Sequence, residues 1–253
     1  MLTATPLHDL TGIEKLREQE LEEARIIQGS MLPSQPLHKN NVIISHEFQP
    51  VTEVGGDYLD YFTLTDGTIG LYVGDVSGKG LPAALAVGTL RGVHKTGMRP
   101  GAVLSLLNER LNLRGIPARH TAIQYAVFSP GTGEMVISSA GMPGPLLLRG
   151  QDCRTLQLAG IPPGLFPDVS YDEFSLQLQP GDSVLFCSDG LTEARNVLEQ
   201  EFGLAGIQDV CRRHSEGSPL DLLGHVFRAV EEFSHQDRQW DDMTATVFHF
   251  STR

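Results

Sequence analysis

Four aspartates, far apart in the chain, each sit in a short polar turn or at a glycine-rich turn after a strand-like run. They are Asp57 in VGGDYLD, Asp75 in GDVSGKG, Asp189 in CSDGLTEA and Asp241 in WDDMTAT. Carboxylates within a few ångströms of one another repel, so a chain that gathers several usually does so around a cation. The four motifs contain no histidine. An oxygen-only donor set suits a hard ion, Mg²⁺ or Mn²⁺, better than Zn²⁺. One Asp beside a Gly is an ordinary turn. Four of them, flanked by Gly56, Gly74, Gly78 and Gly190, point instead to backbone that turns tightly around a carboxylate metal centre.

Other chemistries fit the residues less well. GDVSGKG has only three residues between Gly74 and Gly78, and Lys79 is followed by Gly80, so it fails the phosphate-loop pattern. A cysteine phosphatase needs an arginine six positions after its nucleophile. Those positions after Cys153, Cys187 and Cys211 hold Ala159, Glu193 and Gly217. The chain contains no DxDxT stretch and no GxSxG elbow. With no protein nucleophile evident, the expected chemistry is attack on phosphorus by water activated between two ions about 3.5–4 Å apart.

Composition narrows the partners. A net charge of −12 argues against nucleic acid, whose phosphates require clustered Lys and Arg. It also means that any anionic substrate depends on metal for a local positive field. No apolar run approaches the length of a membrane span, and MLTATPLHDLTGIEK lacks the pattern of a secretion signal. Three cysteines without a CxxC pair accord with a reducing cytoplasm. The expected protein therefore binds neither nucleic acid nor membrane and works in the cytoplasm.

The elements that must position the aspartates are also legible. From Leu10 to Gln28 the chain is charged and helix-favouring, with Ile13, Leu16, Leu21, Ala24, Ile27 and Met31 near helical spacing and Gly29 and Pro33 as stops. Such a helix packs on its own domain or pairs with a partner. Strand-like runs cover 42–49, 58–64, 68–74, 122–128, 134–139, 145–149, 172–178, 183–187 and 244–250. Turns at 129–133 and 141–144 read as successive hairpins. Helices are expected over 81–97, 101–113, 203–214 and 219–235. Strands in hairpins with helices in pairs give an α+β class: an antiparallel β-sandwich flanked by helices.

The ordered set VGGDYLD, GDVSGKGLPAAL, SDGLTEARN and DDMTATV resembles the metal-dependent PPM (type 2C-like) serine/threonine phosphatases. More narrowly, it is similar to the bacterial branch of the stage II sporulation E and sigma-factor-regulating serine phosphatases. EARIIQGSMLP resembles the helix that precedes the catalytic domain there. The resemblance implies an αββα sandwich with two Mn²⁺ or Mg²⁺ ions at one end. It implies Asp75 as bridging ligand, the Val76 carbonyl as its backbone neighbour, Asp189 and Asp241 as ligands of the second ion, and Asp57 as an acid near the metals. Asp242 adjoins Asp241 and the sequence does not separate their roles. Asp60 reads as a solvated strand-end charge, and Lys79 as either a phosphate-steering or a solvated loop residue.

Two departures stand out. PVTEVGG carries no phosphate-holding arginine, and Met142 replaces the His or Asn of an AGH-like turn. The implied substrate is a phosphoserine or phosphothreonine protein such as an anti-sigma-factor antagonist. The alternative is a weak or dead PPM-like domain that only binds. Residues 1–33 are expected to be a regulatory or dimerisation segment, and 34–253 the catalytic domain. The helices at 81–97 and 101–113 follow the Asp75 loop and are expected to act as a switch, biased by a regulator or a second copy at the N-terminal helix.

Overall fold

The computed structural model describes residues 7–78, 97–114, 120–234, 239 and 241–251. The chain opens with α1 (Leu7–Met31) and then β1 (Leu37–Lys39) and β2 (Val42–Gln49). Next come β3 (Asp57–Thr63), β4 (Ile69–Val76), α2 (Pro100–Arg114), β5 (Thr121–Ser129) and β6 (Glu134–Ala140). They are followed by β7 (Leu146–Arg149), β8 (Asp152–Thr155), β9 (Phe174–Gln177) and β10 (Ser183–Cys187). The last elements are α3 (Asp189–Thr192), α4 (Gly203–Arg213), α5 (Pro219–Phe233) and β11 (Met243–Phe250).

The strands form two antiparallel sheets, ordered β1-β2-β11-β10-β7-β8 and β3-β4-β5-β6-β9. Side chains alternate across each strand, and β10 shows how that alternation builds layers. Val184 and Phe186 enter the core between the sheets, with Phe128, Ile137, Leu71 and Phe248. Leu185 and Cys187 face the other way, onto Ile207, Val210, Leu223 and Val226 of α4 and α5. On the outer face of the five-stranded sheet, Tyr58, Tyr72 and Tyr125 pack against Val103, Leu104 and Leu107 of α2. The result is the α+β sandwich with helices on both faces.

Local chemistry explains the ends of these elements. Ser218 caps α5 in a capping box with Asp221, and Pro219 occupies its first turn, where a missing N–H costs nothing. The 129–133 turn closes its hairpin with Gly133 N donating to Ser129 O at 2.8 Å.

Several expectations need correction. The 141–144 turn is not a hairpin: β6 and β7 lie in different sheets, so this turn carries the chain across the sandwich. Gly29 does not end the first helix, which continues to Met31. One glycine costs a helix only about 1 kcal/mol. β1 and β8 are not among the strands expected from the sequence, because runs of three and four residues carry too little periodicity to register. Of the helix expected over 81–97, residues 81–96 lie outside those described, and Gly97 is not helical.

Phe128 sits between the sheets against Phe248 and Phe250, with ring centroids 4.8 and 5.1 Å away. Phe128→Ala should cost about 3–5 kcal/mol, read as a lower urea midpoint at unchanged slope.

Candidate metal centre

Asp57 begins β3 and Asp75 lies near the end of β4, and the two are direct partners in the antiparallel ladder. Residues opposed in this way point to the same face, so the hairpin sets two carboxylates side by side. Asp57 is 2% exposed. Its carboxyl is pushed well above the usual carboxylate range, first by burial and then by the charge of Asp75. The hydroxyls of Thr244 and Ser188 ease that charge in part. Those contacts are weak ones, since Asp57 Oδ2 and Thr244 Oγ1 are both buried without a hydrogen-bond partner of good geometry.

The second pair comes from the other sheet. β10 ends at Cys187, and Asp189 opens the short helix α3. Its carboxyl is also raised, by burial first and then by Glu193 and Asp241. Ser188 N donates to Thr244 O at 2.9 Å, and Thr244 N donates to Ser188 Oγ at 3.0 Å. This reciprocal pair joins the start of α3 to the start of β11. Gly190 allows the approach, since a Cβ there would lie 2.0 Å from the Asp242 carbonyl oxygen.

The structure separates Asp241 from Asp242. Asp242 Oδ1 accepts from Val51 N at 2.8 Å and Oδ2 from Gly56 N at 2.6 Å. Both oxygens thus hold the 51–56 loop. Asp241 stands beside Asp189, whose carboxyl it helps to raise. Val76 N donates to Gly56 O at 3.1 Å. A Cβ at Gly56 would meet the Val76 carbonyl at 2.7 Å and Asp75 Oδ1 at 3.1 Å, so only glycine leaves that cradle open.

The expected residues are therefore brought to one end of the sandwich: Asp57, Asp75 and Val76 from the five-stranded sheet, Asp189 and Asp241 from the six-stranded one. Among the described residues, no three His, Cys, Asp or Glu side chains converge as a closed ligand set. The donors nevertheless suit a hard divalent cation. They are all oxygen, they include a buried carboxylate oxygen with no hydrogen-bond partner, and they open onto a cradle kept clear by glycine.

Other residues fall differently from expectation. Asp60 is buried, not solvated, and accepts from Tyr61 N at 2.9 Å. Met142 packs in the inter-sheet core, and Lys79 lies outside the described residues. Cys187 is pushed up to about 12, chiefly by burial and also by Asp189 and Asp57, which disqualifies it as a nucleophile. Glu193, Ser188, Thr244 and Gln28 carry no role expected from the sequence, although Ser188 and Glu193 lie within CSDGLTEA and Thr244 within WDDMTAT. A cavity of about 160 Å³ beside Asp241 is lined by Gly190, Glu193, Arg195 and Glu199. Arg195 brings a guanidinium to it, paired with Glu201 at 2.8 Å.

The sequence matches the family described as Stage II sporulation protein E (SpoIIE) over residues 65–251. The chain belongs to that family. This places it among the PPM, or PP2C-type, protein phosphatases. It is 26% identical over 249 residues to "Phosphoserine phosphatase RsbU" of Bacillus subtilis, covering 94% of this chain and 72% of that protein. It spans only 41% and 56% of two further curated relatives. The fold is shared with the SiaA-PP2C domain of Pseudomonas aeruginosa, at TM-score 0.82 and 21% identity over 94% of this chain and 99% of that one. It is shared also with RsbX in complex with magnesium, at TM-score 0.66 and 12% identity over 86% and 99%. No helix among the described residues is long and apolar enough to cross a membrane.

Folding raises the Asp57 carboxyl above its unfolded value, so its contribution to stability is present at low pH and is lost as pH rises through the raised value. Without divalent cations, Asp57→Asn should therefore melt higher than wild type at neutral pH, by about 2–4 °C per kcal/mol of relieved repulsion. The difference should shrink as pH falls toward about 4, read by calorimetry with chelator present.

Proposed function

We propose that the chain hydrolyses phosphoserine or phosphothreonine on a partner protein, with Asp57, Asp75, Val76, Asp189 and Asp241 holding two Mn²⁺ or Mg²⁺ ions. The observation that carries this reading is the Asp57–Asp75 pair, two carboxylates set opposite each other in the β3–β4 ladder, with Asp57 Oδ2 buried and without a hydrogen-bond partner. When bound, the ions would supply the positive field that a chain of net charge −12 lacks and would acidify the attacking water.

The chain's own residues divide the work. Asp75 would bridge, with the Val76 carbonyl beside it. Asp189 and Asp241 would hold the second position, and Asp57 would act as an outer or water-mediated ligand. Asp242 keeps the 51–56 loop in place and so keeps Asp57 where it is. The cavity beside Asp241 gives a phosphorylated segment room to enter, with Arg195 on its wall. RsbU is named a phosphoserine phosphatase. With family membership, that favours a phosphoprotein substrate of the sigma-regulating kind, such as an anti-sigma-factor antagonist, in the cytoplasm.

Residues 34–253 would form the catalytic domain and 1–33 a regulatory or dimerisation segment. Leu16, Ile26 and Ile27 of α1 are more than half exposed, which supports a second copy or a regulator on that helix. The 81–97 and 101–113 segments would relay its state to Asp75. Removing residues 1–30 should then change the oligomeric state or the Mn²⁺ dependence, measured by light scattering and metal titration. If neither moves, the segment has no such role.

An aryl phosphate and a phosphoserine peptide should both be turned over with Mn²⁺ and not with chelator. Asp75→Asn and Asp189→Asn should each lower the rate by on the order of 10²-fold or more. Activity that survives chelation and both substitutions would sink the metal reading. Firm Mn²⁺ binding without turnover would favour the alternative, a domain that binds and does not catalyse.

A further inference from the structure

The loop between α3 and α4 holds two large apolar side chains out in solvent beside the carboxylates. Val197 and Leu198 are 75% and 72% exposed. Arg195 before them and Glu199 after them line the cavity that also contains Asp241. Val197 and Leu198 therefore stand on the rim of that cavity. Scattered apolar residues on a surface are ordinary, so exposure alone assigns these two no role. The way the loop is built sets them apart.

The loop is closed and heavily tethered. At its base Arg195 and Glu201 pair as an antiparallel bridge, and Phe202 N donates to Ala194 O at 2.9 Å. Above the base, Asn196 N donates to Gln200 O at 3.1 Å and Glu199 N to Asn196 O at 3.0 Å. Asn196 Oδ1 accepts from Leu198 N at 2.9 Å and from Gln200 N at 3.1 Å, and its Nδ2 donates to Gln200 Oε1 at 3.0 Å. Glu199 has a φ of 59°, a left-handed conformation that a residue other than glycine adopts only at a cost. A plain connection between two helices needs neither that strain nor so many tethers. Together they fix the backbone beneath Val197 and Leu198, so a partner that covers the two side chains has little left to order. Arg195 meets Glu201 at 2.8 Å and Glu199 at 3.8 Å. Its charge is answered within the loop, and the contact offered to a partner is the apolar one.

We propose that Val197 and Leu198 form a docking tip for the phosphorylated partner protein: they cover an apolar side chain that flanks its phosphorylated residue while that residue enters the cavity beside Asp241. A chain that places one residue in that cavity must continue over its rim, and the tip is part of the rim. The wall adds to the selection. Glu193 and Glu199 lie on it and disfavour acidic residues next to the phosphorylated one, whereas the tip favours apolar ones. The proposal rests on the phosphatase reading above and deepens it. Hydrolysis needs only a phosphate at the carboxylates, whereas the tip chooses which chains bring it there.

The test uses the full chain with Mn²⁺ and a set of phosphoserine peptides that carry leucine or serine at each flanking position in turn. An aryl phosphate, which has no flanking chain, is the reference. Leucine at one or more flanking positions should raise kcat/KM of the wild type by roughly 10-fold or more, as burial of an apolar group in a binding site does. The gain should come through KM. In the double variant Val197→Ser with Leu198→Ser the gain should vanish. Turnover of the aryl phosphate should be the same in both proteins, which also shows that the variant is folded. A wild type indifferent to flanking leucine, or a preference that survives in the double variant, overturns the docking tip. So does an equal fall with the aryl phosphate, which would make the loop part of the hydrolytic machinery. A wild type that turns over neither the peptides nor the aryl phosphate overturns the phosphatase reading and the tip with it, so the two failures are told apart.

Discussion

Asp57 and Asp75 oppose each other across the β3–β4 ladder, and like charges in that register repel. A hairpin left to itself would slip or splay to separate them. Here it cannot, because the same strands are fixed by apolar layers on both faces: Leu59, Leu71 and Val73 against the other sheet, Tyr58, Phe62 and Tyr72 against α2. Burial of those side chains outweighs the repulsion, at about 1.5–3 kcal/mol for each large apolar residue. The carboxylates are thus held in place by parts of the molecule that never touch them. A destabilised polar cluster held by an otherwise consistent core is typical of functional sites.

The contrast with the far end of the sandwich makes the point concrete. Asp182 is as buried as Asp57, yet it receives Arg149 at 2.9 and 2.6 Å and the amide of Gln179 at 2.7 Å. One buried carboxylate is fully matched and another is left short of partners. The chain can supply a guanidinium where structure needs one, so the unmatched oxygen of Asp57 reflects placement rather than a shortage of cations.

Much of this was legible in the sequence because it is local. The Asp-Gly motifs, the hairpin at 129–133 and the amphipathic helix at Pro219–Phe233 each declare themselves within a few residues. What escaped depends on partners distant in the chain. Asp241 and Asp242 are chemically identical neighbours, and only the amides of Val51 and Gly56, some 190 residues away, tell them apart. Asp60 looked like a strand-end charge because nothing nearby predicts that β3 is covered on both faces. Gln28 reads as one more polar residue on a charged helix until its amide is seen to pair with the N–H and carbonyl of Gly55. The 141–144 turn has hairpin chemistry, and only the destination of the next strand shows that it changes sheets.

The two aspartate pairs belong to different sheets. Asp57 and Asp75 ride on β3 and β4, while Asp189 and Asp241 flank β10 and β11. The cluster therefore spans the seam of the sandwich, where Asp242 Oδ2 accepts from Gly56 N across it. An ion held there, as proposed above, would work as a clasp. It would be gripped from both sides only while the halves are shut, and splitting them would break that grip. Breathing of the sandwich and release of its occupant then become a single event. A protein of this design would lose its catalytic fitting before it lost its shape, and would regain it on closing without having to refold.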